Sequence, residues 1–160
     1  MSLPALVRAM RWSASLGVAC CTAYAPQAHA VLGERVETIH ADQMRLQGAR
    51  RLATALRYQV HDIRLADGSS VRQFASPSGQ VFALAWRSHL KLQLQPLLGQ
   101  YFSGYSAARM ASAKGHGFAR QSMLTQGALV VHESAHMGMF AGLAYVRHLV
   151  PEGVDPNALR

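Results

Sequence analysis

The sequence predicts an α+β domain, an antiparallel sheet of about five strands with one main helix packed on a face. Three observations carry that reading. Apolar runs at 58–65, 70–75 and 80–87 are separated by Asp67-Gly68 and by Ser76-Pro77-Ser78-Gly79, which makes them a meander with tight turns. After Pro96, Leu97, Leu98, Tyr101, Phe102, Tyr105 and Ala108 recur at three- and four-residue spacing, the mark of an amphipathic helix over 96–111. Finally, 128–133 and 137–146 are apolar runs, the second with Gly138 and Gly142 that suit a curved strand, and they read as two closing strands joined by a turn at 133–135.

The first thirty residues stand apart from that domain. Arg8 and Arg11 precede an uncharged apolar stretch from Trp12 to Ala25, and Ala28-His29-Ala30 follows as a small-x-small site. This is the layout of a secretory signal with cleavage between Ala30 and Val31, and the apolar stretch is too short to span a bilayer. Lipid attachment at Cys20 or Cys21 is disfavoured by the residues before each cysteine. Both cysteines fall inside the leader, so the mature chain has none and no disulfide staples it. About 130 residues can bury a sufficient core without one.

Charge narrows the partners. Without Arg8 and Arg11, 14 Lys and Arg remain against 8 Asp and Glu, a formal net charge of +6. Such a surface favours acidic partners. The basic residues are scattered, however, and only Arg50 and Arg51 are adjacent. A nucleic-acid partner is therefore not expected.

In chain order, 31–56 reads as a lead-in holding a short helix around 41–47, interrupted by Gly48. Residues 57–150 form a single globular domain, and 151–160 an irregular tail with Pro151, Gly153 and Pro156. The strand at 58–65 changes phase between Val60 and Ile63, which predicts a bulge or a twist. At 80–87, Phe82, Leu84 and Trp86 are expected on one face and Val81, Ala83 and Ala85 on the other. Both faces are apolar, so this strand is central. The polar segment 112–127 reads as a loop with a short strand near Phe118. Its Lys114-Gly115-His116-Gly117 tip reads as a connector before it reads as an anion site.

One motif looks like chemistry. His132-Glu133-Ser134-Ala135-His136 matches H-E-x-x-H, which binds zinc when the two histidines share one helix face and the glutamate activates the bound water. The flanks do not favour a helix, because Leu129-Val130-Val131 is strand-like and Met137-Gly138-Met139 is no better. A hairpin looping at 133–135 would instead bring His132 and His136 face to face, where they share a metal without the base. The default reading is two strand-end histidines. No Cys nucleophile, G-x-S-x-G or paired carboxylates stand elsewhere in the mature chain. No catalytic residue and no cofactor is assigned.

Several motifs resemble a known family. Val71-Arg72-Gln73-Phe74, Gly79-x-Val81-Phe82-Ala83-x-x-Trp86 and Leu97-Leu98-Gly99-x-Tyr101-Phe102-x-x-Tyr105 resemble the DUF2844 family of secreted bacterial proteins of unknown function. So do Leu129-Val130-Val131, His136-Met137-x-x-Phe140-x-Gly142-x-Ala144-Tyr145 and Pro151-x-Gly153-Val154. The chain departs from that pattern at Arg87-Ser88, Ala135 and Gly138. The resemblance implies a small exported domain with no assigned chemistry. It places His136 on a shared His-Met position, while His132 and Glu133 fall where the family shows no metal pattern.

The expectation is a periplasmic or secreted non-enzymatic module that binds an envelope protein or ligand. Its mature chain has no transmembrane segment. Two alternatives stay open: a zinc-dependent hydrolase using His132, Glu133 and His136, and a basic protein bound to an anionic envelope surface.

Overall fold

In the computed structural model, which describes residues 32–116 and 121–159, the chain forms one antiparallel sheet of seven strands. They are β1 (Ala49–Thr54), β2 (Gln59–Arg64), β3 (Ser70–Ala75), β4 (Val81–Ser88), β5 (Gln121–Gln126), β6 (Leu129–His136) and β7 (Met139–Val146). Their order across the sheet is β1-β2-β3-β4-β7-β6-β5. The helices are α1 (Ile39–Leu46), α2 (Gln95–Leu98) and α3 (Phe102–His116). The leader, the Ala30–Val31 junction and Phe118 lie outside the described residues.

Two strands exceed the expected five, and both are edges. All of β1 is exposed, so Ala-Arg-Arg-Leu-Ala-Thr shows no alternation, and backbone pairing to β2 alone makes it a strand. In β5 only Leu124 is buried, which leaves a polar string that reads as loop. The Lys114-Gly115-His116 stretch continues α3 and is not a loop tip.

Strand β4 is central, with β3 on one side and β7 on the other. Its faces are not the expected ones. Phe74 pairs with Ala83 and Ala75 with Val81, so Phe82 is the extra residue of a β-bulge. The bulge turns Phe82 onto the face of Ala83 and Ala85, where it packs with Phe74 and Tyr58. Leu84 and Trp86 face the other way, towards Leu97, Leu98 and Tyr105. Of the predicted bulge or twist in β2, the bulge does not occur, because its pairing with β1 and β3 is regular. Val60 and Ile63 simply serve different faces, Val60 beside Phe74 and Ile63 beneath Ile39 of α1.

The expected 96–111 helix is broken. Gly99 adopts φ 49° and ψ −120°, outside the helical region, and a 3-10 turn at Gly99–Tyr101 separates α2 from α3. The break seats Leu97 and Leu98, both fully buried, and then redirects α3 so that Tyr105 reaches the sheet.

The two ends of the domain close what the helices leave open. Strand β7 covers β4 only from Ala83 onward. The lead-in fills the remaining edge: Gly33 N donates to Val81 O (2.8 Å), Val81 N to Glu34 O (2.8 Å) and Val36 N to Gly79 O (2.8 Å). The tail is equally fixed. Leu159 is buried against Phe74, Phe82, Ala83 and Leu143, and Asp155 caps its last turn by accepting from Asn157 N (2.9 Å). The Phe82–Ala83 half of the small-residue face of β4 is thus covered by residues 149–159, and the other face by the helices.

A buried polar group sits under α1. Asp42 is 1 % exposed, pairs with Arg45 and accepts from Gln73 Nε2 (2.5 Å). Burial pushes its carboxyl up to about 6, against the partial relief given by Arg45 and Gln73. An acid whose folded value is raised favours the protonated native state. Stability is therefore highest below about pH 4 for this group and falls as pH rises towards 6. Asp42→Asn is expected to remove that slope and to gain about 1–3 kcal/mol at pH 7 relative to the parent chain. Urea unfolding of both chains at pH 4 and pH 7 checks it, and a parallel pH response in the two refutes it.

A second expectation concerns Gly142, which lies directly opposite Trp86. A Cβ on Gly142 would stand 2.1 Å from Trp86 Cζ2. Gly142→Ala is expected to cost about 1–3 kcal/mol in urea unfolding, and Trp86→Leu in the same chain to recover part of that loss.

Candidate functional site

Strand β6 settles the geometry of the H-E-x-x-H match. It runs unbroken to His136, and the turn is Met137-Gly138, not 133–135. His132 pairs with Leu143, Glu133 with Gly142, Ser134 with Ala141 and His136 with Met139. The two histidines therefore do not face each other across a hairpin. They lie four residues apart along one strand, about 13 Å from each other. Alternation also sends them to one side of the sheet and Glu133 to the other.

On the helix side Glu133 belongs to a local network. The Tyr105 hydroxyl donates to Glu133 Oε1 (2.8 Å), and Arg109 Nη1 donates to the Tyr105 oxygen (2.8 Å) and to Glu133 Oε2. The Arg109 guanidinium also lies 5.9 Å from the Tyr105 ring centroid. Burial, helped by the adjacent Glu133 carboxylate, pushes the Tyr105 phenol up to about 12. Beside the network is a cavity of about 330 Å³, lined by Trp86, Leu92, Leu94 and Phe140 with Lys91 at its polar side. Tyr105 and Arg109 stand one helical turn apart on α3, a spacing visible in the sequence, where Tyr105 read as packing alone.

The larger hollow is on the opposite face. Where the tail stops covering the sheet, a groove of about 870 Å³ opens, and Asn157 lines it from the tail. Its floor is Ala85, Ala141 and Gly142, small residues that leave room for another molecule. Arg72, Arg87 and His132 line it as well, with Ser134 between the strands. Arg72 lies 3.9 Å from Asp62, and His132 stacks on Tyr145 with ring centroids 6.2 Å apart. The Nε2 atom of His132 is buried without a hydrogen-bond partner. None of Arg72, Arg87 and Asn157 was singled out by sequence reasoning. Arg72 and Arg87 join the groove through strand register, and Asn157 through the packing of the tail.

Among the described residues, no group of three or more His, Cys, Asp and Glu could hold a metal ion together. No described helix is long and apolar enough to cross a membrane.

These features define a small α+β protein built on one fully antiparallel sheet, with one face closed by helices and the other left partly open and basic. The sequence model of DUF2844, described as a protein of unknown function, matches residues 28–159, and the chain belongs to that family. No curated protein matches it, and no solved structure does.

The Tyr105 network generates a direct expectation. Glu133→Gln removes a negative charge and a charged acceptor, so the Tyr105 phenol is expected to titrate at lower pH than in the parent chain. Spectrophotometric titration of the tyrosines, with Tyr105→Phe to identify the signal, measures the change. An unmoved Tyr105 signal refutes the coupling.

Proposed function

We propose that the protein is an exported, non-enzymatic module that binds a ligand in the groove on the open face of its sheet. The groove itself carries this reading. A sheet face is normally covered, and here the tail covers only the half at Phe74, Phe82 and Leu159. The uncovered half combines a small-residue floor with convergent polar side chains, which is the general form of a ligand site. Export rests on the leader and its small-x-small site.

The hydrolase alternative finds no support in β6. Its base would be Glu133, which is committed to Tyr105 and Arg109 on the far side of the sheet from both histidines. Attachment to an anionic envelope surface is favoured by one observation, the wholly exposed β1 with Arg50 and Arg51 at the sheet edge. It predicts sedimentation with anionic vesicles that weakens steeply with salt. Salt-independent behaviour removes it.

Two measurements test the main reading. Protein recovered from its own cells is expected to begin at Val31, and a chain that retains residues 1–30 overturns export. For the groove, Ala141→Trp fills the floor. A small molecule that binds there is expected to stabilise the parent chain by about 2.7 kcal/mol at a hundredfold excess over Kd and to leave Ala141→Trp unchanged. Ligands that stabilise both equally bind elsewhere and overturn the assignment.

A further inference from the structure

We propose that the β5–β6–β7 side of the open face binds soft monovalent metal ions, Cu(I) or its analogue Ag(I), at two separate cross-strand His–Met pairs. The pairs are Met123 with His132 and His136 with Met139. Both pairs line the groove, and neither requires the groove to take up another ligand.

Register alone makes the pairs. Met123 is directly opposite His132 on β5 and β6, and Met139 is directly opposite His136 on β7 and β6. Directly opposed residues have Cβ atoms about 4.5–5.5 Å apart, within reach of one ion for a thioether and an imidazole. All four residues line the groove. The two pairs are separated along β6 by about 13 Å, so they form two sites and not one.

Each pair has a second observation behind it. At the first, His132 Nε2 is buried with no hydrogen-bond partner, and stacking on Tyr145 holds its ring. A buried imidazole nitrogen without a partner is costly unless something binds it. Beside it Met123 is 61 % exposed, a large apolar side chain that no core claims. At the second, Met137 and Gly138 have φ of 48° and 76°, the two left-handed positions of a type I′ hairpin turn. Gly, Asn or Asp usually holds the first of these, because an ordinary side chain is strained there. Met137 takes that strained place and is 93 % exposed. A third thioether therefore stands at the tip, next to His136 and Met139.

The chemistry selects the ion. Thioether sulfur favours soft ions such as Cu(I), whereas zinc, calcium and magnesium want thiolate, imidazole or carboxylate sets. No such set of three exists among the described residues, and the nearest carboxylate, Glu133, is engaged on the other face. A single positive charge also meets less repulsion from Arg72 and Arg87 than a divalent ion would.

The test is Ag(I) titration of the mature chain carrying 13C-methyl methionine, followed by NMR. The methyl signals of Met123, Met137 and Met139 are expected to move, while that of Met110, 61 % exposed on α3 with no histidine one helical turn away, stays in place. Met139→Leu and His136→Ala, both at a hairpin end, are each expected to weaken binding at the tip by at least about tenfold and to leave the Met123 response intact. No movement, or equal movement of Met110, overturns the proposal. So does Zn(II) moving the same signals at lower concentration than Ag(I).

Discussion

The indole of Trp86 lies across Gly142, in the space that a Cβ would take. This contact is made at the seam of the molecule. β1 to β4 form one run of neighbouring strands and β5 to β7 another, and the pairing of β4 with β7 joins them. A one-residue slip at that seam would turn every side chain of one half to the wrong face. An aromatic ring that fits only over a glycine sets the register locally. From it follow Leu84 and Ala144 in one core, Ala85 and Leu143 in the other, and the floor of the groove.

How much of this was legible depended on how each residue earns its place. Strands that bury side chains showed themselves by their apolar content, as β3, β4 and β7 did. β1 buries nothing and β5 one leucine, and both exist through backbone pairing that no side-chain pattern records. The Phe82 bulge was equally hidden. Strict alternation is the best inference from Val-Phe-Ala-Leu-Ala-Trp, and the extra residue becomes visible only against the partner strand. The tail read as irregular because its anchoring residues, Val154 and Leu159, are too few and too far apart to make a helix or strand pattern.

The H-E-x-x-H match shows the same limit from the other side. Five residues in a row carry a definite chemistry on a helix and none of it on a strand, because the side-chain period changes from 3.6 to 2. The strand separates the carboxylate from the imidazoles and gives each a new neighbour, Tyr105 and Arg109 for Glu133, and methionines for the histidines. None of these partners is close in sequence to the residue it meets except Met139. The candidate site was therefore half present in the sequence, as His132 and His136, and half created by register.

The lead-in carries a consequence for the order of events in the cell. Leu32 is fully buried, its N–H donates to Leu97 O (3.1 Å), and the next residues are stitched to β4. The proposed Ala30–Val31 junction is separated from that anchor by Val31 alone. A peptidase needs several extended residues on each side of the bond it cuts, and the finished domain has already drawn in those that follow. On the export proposed above, cleavage at that junction would therefore have to precede docking of the lead-in on β4.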